Sequence, residues 1–341
     1  MPTTPPSLCL GFASIIATVL GPVAAAGAWG IPPAAVEPVA LPAATSPLVE
    51  QQELLLWPGT APGSANVTIE ETIIERSKDP LHPDRALTGV TRPSVTAYLP
   101  GKANGTALIV APGGGYEREV IDKEGLEVVS AFLPRGFTVF VLKYRLPAEG
   151  HRNGRDVPLQ DAQRAVRVVR GNAARWGLDP ARVGIIGFSA GGHLAARVAT
   201  RFMAKVYDPV DALDAGSARP DFAVLMYPVI SMEDGVAHAG SKRALLGPTP
   251  DKTTVAAYSA DLSVGPRTPP TLLILADDDK SVLPENAIRY YAALKRAAIP
   301  AELHVFAQGG HGFGIRKTSG LPVAVWPKLT CDWLEAGGFL K

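Results

Sequence analysis

The chain has few cysteines, almost no excess of charge and no apolar run of membrane-spanning length. Two cysteines, Cys9 and Cys331, among 341 residues exclude a disulfide framework. Lys and Arg number 33 against 32 Asp and Glu, so the formal net charge of +1 does not indicate a nucleic acid or an anionic membrane as partner. These absences favour a globular protein whose substrate is a small neutral molecule or a neutral polymer.

The first fifty residues differ from the rest of the chain. Residues 8–20 are apolar and are followed by small residues at 24–28, as in a cleaved export signal, although residues 1–7 contain no Lys or Arg. The apolar run is too short for stable membrane insertion. Residues 28–50 are rich in Pro and Ala without periodicity, which is typical of a linker. The sequence therefore predicts a signal peptide at 1–27, a linker at 28–50, a catalytic domain at 51–341, and a secreted or periplasmic protein.

Buried strands alternate with helices through the predicted domain. Continuous apolar runs predict buried strands at residues 106–110, 137–142, 222–227 and 271–276, with a last strand at 303–306. Helices are predicted at residues 122–133, 158–175, 284–298 and 325–335, and half-exposed antiparallel strands at 67–74 and 94–99. This alternation predicts an α/β fold with a mostly parallel central sheet and helices on both faces. Residues 206–218 and 231–266 are predicted as irregular insertions and are candidates for a lid over the site.

A serine lies in a glycine-bounded turn between a predicted strand and a predicted helix. Residues 187–191 read G-x-S-x-G, with Ser189 at the centre. On a sharp strand-to-helix turn the backbone is strained, so the neighbours must be small, and the serine hydroxyl is exposed above the sheet. The pattern is short and also occurs in ordinary turns, so its meaning depends on a base and an acid elsewhere in the chain.

One histidine of the six lies late in the chain on a strand-end loop. His311 occupies the glycine-rich segment 308–314, directly after the last predicted strand. By contrast, His193 follows Ser189 by one helical turn and is expected to pack beneath the turn, while His151 and His238 lie in polar loops. Because a serine needs an adjacent base to become nucleophilic, His311 is the candidate base.

The candidate acid follows the buried strand at 271–276. Asp277, Asp278 and Asp279 are adjacent there, and one of them is expected to orient His311. A cation site is a weaker alternative, since no further acidic ligands converge in sequence. The order serine, acid, histidine is that of α/β-hydrolases, not of chymotrypsin or subtilisin.

Backbone amides are expected to hold the oxyanion. A glycine run ends the strand at 106–110, so Gly114 and Gly115 are candidate donors together with Ala190, which follows the serine. Tyr116 comes next and is a candidate substrate-binding residue that stacks on a sugar or closes the acyl pocket; the alternative is packing in the core. The reaction requires neither a metal nor a cofactor.

From about residue 54 onward the chain resembles the α/β-hydrolase superfamily, and within it the bacterial acetyl-xylan-esterase-like carbohydrate esterases and dienelactone-hydrolase-like esterases. The motifs that carry the resemblance are at residues 111–116, 123–125, 139–145, 158–167, 187–193 and 309–314. The acid loop departs from the family pattern at Leu275 and Leu283. Glu285 and Asn286 nevertheless match the family pattern after this loop. Aligning them with that pattern identifies Asp279 as the acid, with Asp278 as the alternative.

The resemblance implies a serine esterase that releases acetyl or other short acyl groups from sugar hydroxyls. It does not fix the sugar, and relatives that act broadly on short-chain esters are an alternative. A serine peptidase or amidase would use the same residues, but the segment before Pro93 is too short for the N-terminal propeller that many such relatives carry. A non-catalytic binding protein on the same scaffold is a further alternative, although such proteins usually lose one of the three residues.

Overall fold

The structure is a computed structural model that describes residues 51–340. The predicted signal peptide at 1–27 and linker at 28–50 lie outside the described residues and stay predictions. No helix within residues 51–340 has the length and hydropathy of a membrane span.

Eight strands form the main sheet of the described part. Its strands in chain order are β1 (Gln51–Leu55), β4 (Ser94–Tyr98), β5 (Ala107–Ala111), β7 (Thr138–Lys143), β8 (Val183–Phe188), β9 (Ala223–Met226), β10 (Thr271–Ala276) and β11 (Ala301–Phe306). The spatial order is β1-β4-β7-β5-β8-β9-β10-β11. The first three strands of this order pair antiparallel, and the six from β7 to β11 are parallel. The prediction of a mostly parallel sheet is confirmed.

A second, smaller sheet is antiparallel. It consists of β2 (Thr72–Glu75), β3 (Arg85–Thr88) and β6 (Glu119–Val120), in the order β2-β3-β6. The strand predicted at 67–74 is therefore wrong over its first half. The alternation of apolar and polar residues at 67–71 has no strand to pair with, and pairing sets in only at Thr72, opposite Thr88.

Seven α-helices accompany the strands in the described part. They are α1 (Glu127–Phe132), α2 (Val157–Gly171), α3 (Ala190–Arg201), α4 (Ala239–Leu246), α5 (Lys252–Tyr258), α6 (Glu285–Arg296) and α7 (Trp326–Ala336). The prediction that 231–266 is irregular is wrong, since α4 and α5 lie there. Both are short, and side chains that precede them, His238 and Asp251, accept the first free backbone amides.

The central strands are almost entirely apolar because both of their faces are covered. Every residue of β5, β8, β9 and β10 is buried. Parallel strands all end at the same edge of a sheet, so the loops after these strands meet there. Ala111 pairs with Gly187, which sets the glycine loop after β5 beside the turn after β8.

Candidate active site

Ser189 lies on a tight turn between β8 and α3. Its backbone angles are φ 51° and ψ −117°, a conformation that costs a non-glycine residue about 1–3 kcal/mol. The glycines around it are required by close packing. A Cβ at Gly191 would lie 2.2 Å from the carbonyl oxygen of Ala111, and a Cβ at Gly187 would lie 2.2 Å from that of Gly191. The turn is therefore held in its strained shape by contacts that no larger residue permits.

A row of hydrogen bonds joins the serine, histidine and aspartate that the sequence singled out. The Oγ of Ser189 lies 2.9 Å from Nε2 of His311, and Nδ1 of His311 lies 2.7 Å from Oδ2 of Asp279. A carboxylate can only accept, so Nδ1 carries the proton and donates it to Asp279. Nε2 is then free to accept the proton of the serine hydroxyl. Ser189, Asp279 and His311 lie in the segments that follow β8, β10 and β11.

Asp279 is held as an ionised acceptor. It is 1% exposed, and its other oxygen accepts the backbone amides of Ser281 and Val282 at 2.8 and 2.9 Å. Burial by itself would raise the pKa of Asp279. The hydrogen bond and charge of His311 together with the two amides outweigh burial, so the pKa lies below its usual value. The carboxylate can therefore orient His311 and stabilise its protonated form.

Asp278, the alternative acid, has a different partner. Its Oδ1 accepts the backbone amide of Gly310 at 2.7 Å, whereas the hydrogen bond to Nδ1 of His311 is made by Asp279. Asp278 thus fixes the loop that carries the histidine, whereas Asp279 fixes the histidine itself.

The glycine loop after β5 lies directly against the serine. A Cβ at Gly113 would be 2.9 Å from the Cβ of Ser189. The amide of Gly113 already donates to the carboxylate of Glu124 at 2.8 Å, so Gly114 and Gly115 are the remaining donors of this run. Both have positive φ, 131° and 71°, which suits glycine.

Ala190 supplies the third expected donor. It is the first residue of α3, where backbone amides have no partner within the helix and the helix dipole favours negative charge. The loop after β5 and the start of α3 both adjoin Ser189, and the role of their amides as oxyanion donors stays a prediction.

Tyr116 is buried rather than presented to substrate. It is 2% exposed, and its hydroxyl lies 2.8 Å from Nδ1 of His193. Burial raises the pKa of Tyr116 above its ordinary range. The expectation that this ring stacks on a sugar is wrong, because the ring is buried and its hydroxyl is bound to His193 in α3. Tyr116 instead packs in the core, which was the alternative.

Two further residues, missed in the sequence, connect the parts of the site. Tyr227 follows β9, and its ring contacts that of His311 at 5.2 Å between centroids. Its hydroxyl donates to Oε1 of Glu124 at 3.0 Å and accepts the amide of Gly314 at 3.3 Å. Glu124 also accepts the amide of Gly113, so one buried carboxylate links the histidine loop to the glycine loop. Tyr227 could have been found by the same strand-end reasoning that found Asp279.

Within residues 51–340, no group of three or more His, Cys, Asp and Glu side chains is arranged to hold a metal ion.

The parallel sheet, the serine on a strand-to-helix turn and the hydrogen-bonded row behind it define an α/β-hydrolase. Comparison with known families agrees: the model of the BD-FAE family matches residues 96–294, more than half of the chain. The chain belongs to the BD-FAE family. The resemblance to acetyl-xylan-esterase-like α/β-hydrolases is thereby confirmed.

Three relatives illustrate the similarity. An acetylxylan esterase of Xylanibacter ruminicola is 35% identical over 224 residues, covering 64% of this chain and 43% of the relative. Endo-1,4-beta-xylanase B of Butyrivibrio fibrisolvens is 34% identical over 224 residues, covering 65% and 35%. The chain thus spans less than half the length of these curated relatives. The crystal structure of an acetyl ester-xyloside bifunctional hydrolase from Caldicellulosiruptor lactoaceticus has a TM-score of 0.69 and 37% identity, covering 87% of this chain and 100% of that one.

Proposed function

We propose that this protein is a serine carboxylic-ester hydrolase that removes acetyl or other short acyl groups from carbohydrate such as xylan or xylo-oligosaccharides. The observation that carries the reaction type is the hydrogen-bonded row of Ser189, His311 and Asp279 at the carboxyl ends of the strands. The names of the relatives support the substrate, since two concern xylan and one an acetyl ester.

In the first half of the reaction, Ser189 becomes acylated. Its Oγ attacks the ester carbonyl carbon while Nε2 of His311 takes the hydroxyl proton, and Asp279 stabilises the resulting imidazolium. The carbonyl oxygen becomes an oxyanion that accepts hydrogen bonds from the amides of Gly114, Gly115 and Ala190. One such donor contributes roughly 3–4 kcal/mol to lowering the barrier.

The intermediate then collapses, and the acyl-enzyme is hydrolysed. His311 gives its proton to the leaving alcohol oxygen as the bond from that oxygen to the acyl carbon breaks. Water attacks the acyl carbon with His311 again as base, and the proton it gives up is returned to the Oγ of Ser189 as the carboxylic acid leaves. The steps balance with the ester and one water molecule as the reactants.

Export from the cytoplasm is part of the proposal. It is supported by the apolar segment at 8–20 followed by small residues at 24–28. Mass spectrometry of the protein from its host checks this, because export predicts a mature N-terminus near residue 28. An intact N-terminus on all of the protein in the cytoplasm would contradict it.

The experiment that tests the function measures acetate release from acetylated xylan and acetylated xylosides, beside p-nitrophenyl acetate, for the wild type and Ser189→Ala. We expect release from the carbohydrates, and its loss in the variant. Activity on the synthetic ester alone would leave a short-chain carboxylesterase and remove the carbohydrate from the proposal. Wild-type rates in Ser189→Ala would overturn the mechanism.

A further inference from the structure

The insertion between β9 and β10 brings another histidine to the mouth of the site. His238 is half-buried and precedes the first residue of α4. Its Nδ1 accepts the backbone amide of Ser241 at 3.2 Å and lies 2.8 Å from the hydroxyl of the same residue. The ring is therefore fixed on its Nδ1 side by the helix that it caps.

The start of α4 lies against the glycine loop. The Oγ of Ser241 is 3.9 Å from the position of a Cβ at Gly115, and Arg243 pairs with Glu117 at 3.7 Å. Burial, and then the charge of His311, lower the pKa of His238, while Glu117 and Asp279 act in the opposite direction. Because Ser241 lies against Gly115 and its hydroxyl is 2.8 Å from Nδ1 of His238, the histidine lies beside the glycine loop of the site.

The insertion is also anchored to the element that follows the acid loop. Asn286, in the first turn of α6, is fully buried and accepts the backbone amides of Ile230 and Ser231 at 2.9 and 3.0 Å. Its Nδ2 donates to the carbonyl oxygen of Val236 at 2.9 Å. Because α6 begins at Glu285, at the end of the loop that carries Asp279, these hydrogen bonds fix the insertion relative to the acid.

The free nitrogen of His238 is a donor. Since Nδ1 accepts the amide of Ser241, the neutral ring carries its proton on Nε2. Within residues 51–340, Nε2 of His238 has no hydrogen-bond acceptor. A half-buried donor without a partner at the mouth of a site is placed to meet an acceptor on a ligand.

We propose that His238 determines specificity for the alcohol part of the ester, with its Nε2–H donating to a hydroxyl or ring oxygen of the sugar. This rests on the proposed function. His311 must reach the leaving oxygen to protonate it, so a neighbour of His311 at the mouth faces the alcohol rather than the acyl group. Sugars carry many such acceptors, whereas the nitrophenyl group of a synthetic ester carries only the weakly accepting oxygens of its nitro group.

Two variants separate this role from helix capping. Asn is a strong N-cap residue and can still accept the amide of Ser241, but it does not reach as far as Nε2. His238→Ala loses both functions. We would measure kcat/KM on an acetylated xyloside and on p-nitrophenyl acetate for the wild type, His238→Asn and His238→Ala, with unfolding temperatures for all three.

The expected result is that both variants lose about fivefold to tenfold in kcat/KM on the sugar ester, the loss typical of one hydrogen bond, and stay within about twofold on the synthetic ester. Wild-type activity of His238→Asn on the sugar ester, or equal losses on both esters, would overturn the role. A wild type that hydrolyses only the synthetic ester would overturn the proposed substrate and this role together, whereas unaffected variants of an active wild type would overturn this role alone.

Discussion

The two histidines on either side of the serine turn show how one residue type serves two purposes. His193 lies beneath the turn and is 0% exposed; its Nε2 donates to the carbonyl oxygen of Tyr258 at 2.8 Å, and its Nδ1 accepts the hydroxyl of Tyr116. His311 lies above the turn, partly exposed, between a carboxylate and the hydroxyl of Ser189.

The two histidines differ in the groups that surround the imidazole ring. Burial, with a further contribution from Arg197, lowers the pKa of His193 to about 3, so this ring stays neutral and acts as a structural element. His311 instead donates its Nδ1–H to the carboxylate of Asp279, which orients the ring towards Ser189. Proximity to Ser189 alone therefore does not make a histidine the catalytic base. The carboxylate partner determines which of the two histidines takes that role.

The largest effect should come from removing that acid partner. Asp279→Asn should lower kcat/KM by about 10⁴-fold, because an amide favours the wrong tautomer of His311. Asp278→Asn is the matched control, since it removes only the acceptor of the Gly310 amide, and should cost less than about tenfold. Similar losses for the two neighbours, measured by acetate release, would contradict the assignment of Asp279.

The histidine beneath the turn should matter for stability. His193→Ala leaves a cavity and removes the partners of Tyr116 and of the Tyr258 carbonyl, so the free energy of unfolding should fall by about 2–4 kcal/mol. Denaturant unfolding at neutral pH measures this. His311→Ala is the comparison: it should abolish activity with a change in stability of less than about 1 kcal/mol. A large loss of stability in His311→Ala, together with a loss of activity but not of stability in His193→Ala, would contradict these roles.

The same comparison predicts a pH dependence. Since the pKa of His193 is about 3 when folded and near 6.5 when unfolded, the unfolded state binds the extra proton between these values. Stability due to this group is complete above pH 6.5 and is lost as the pH falls towards 3. Between pH 7.5 and 5 the loss should be about 2 kcal/mol. A wild type and a His193→Ala variant with equal pH slopes of stability would contradict this.

The smallest effect should come from the contact behind His311. Tyr227→Phe keeps the ring against His311 but removes the hydroxyl that bonds Glu124 and the amide of Gly314. We expect kcat to fall about fivefold to tenfold with little change in KM, corresponding to about 1 kcal/mol. Steady-state kinetics check it. A change in KM alone would place Tyr227 in substrate binding instead.

Much of the fold and the main residues of the site could be predicted because they depend on local patterns. Continuous apolar runs gave β5, β7, β9 and β10 within one or two residues. Parallel strands end at one edge, so strand-end residues with suitable chemistry were expected together. The structure places Ser189, Asp279 and His311 in contact there.

What the sequence did not predict depends on contacts between distant segments. The orientation of Tyr116 follows from a positive φ and from His193, which lies 77 residues later. The contact of Tyr227 with Glu124 spans 103 residues, so no local pattern predicts that these two residues meet. His238 was assigned to a polar loop, because α4 is short, contains Gly240 and begins with a histidine cap rather than a common capping residue.

The central claim is that Ser189 is the nucleophile that carries the acyl group. The most direct measurement treats the wild type and Ser189→Ala with a serine-reactive phosphonate, maps the adduct by peptide mass spectrometry and follows esterase activity in parallel. We predict one adduct, on the peptide that contains Ser189, formed in step with the loss of activity and absent from the variant. An adduct on another residue, or full activity after Ser189 has been labelled, would contradict the account.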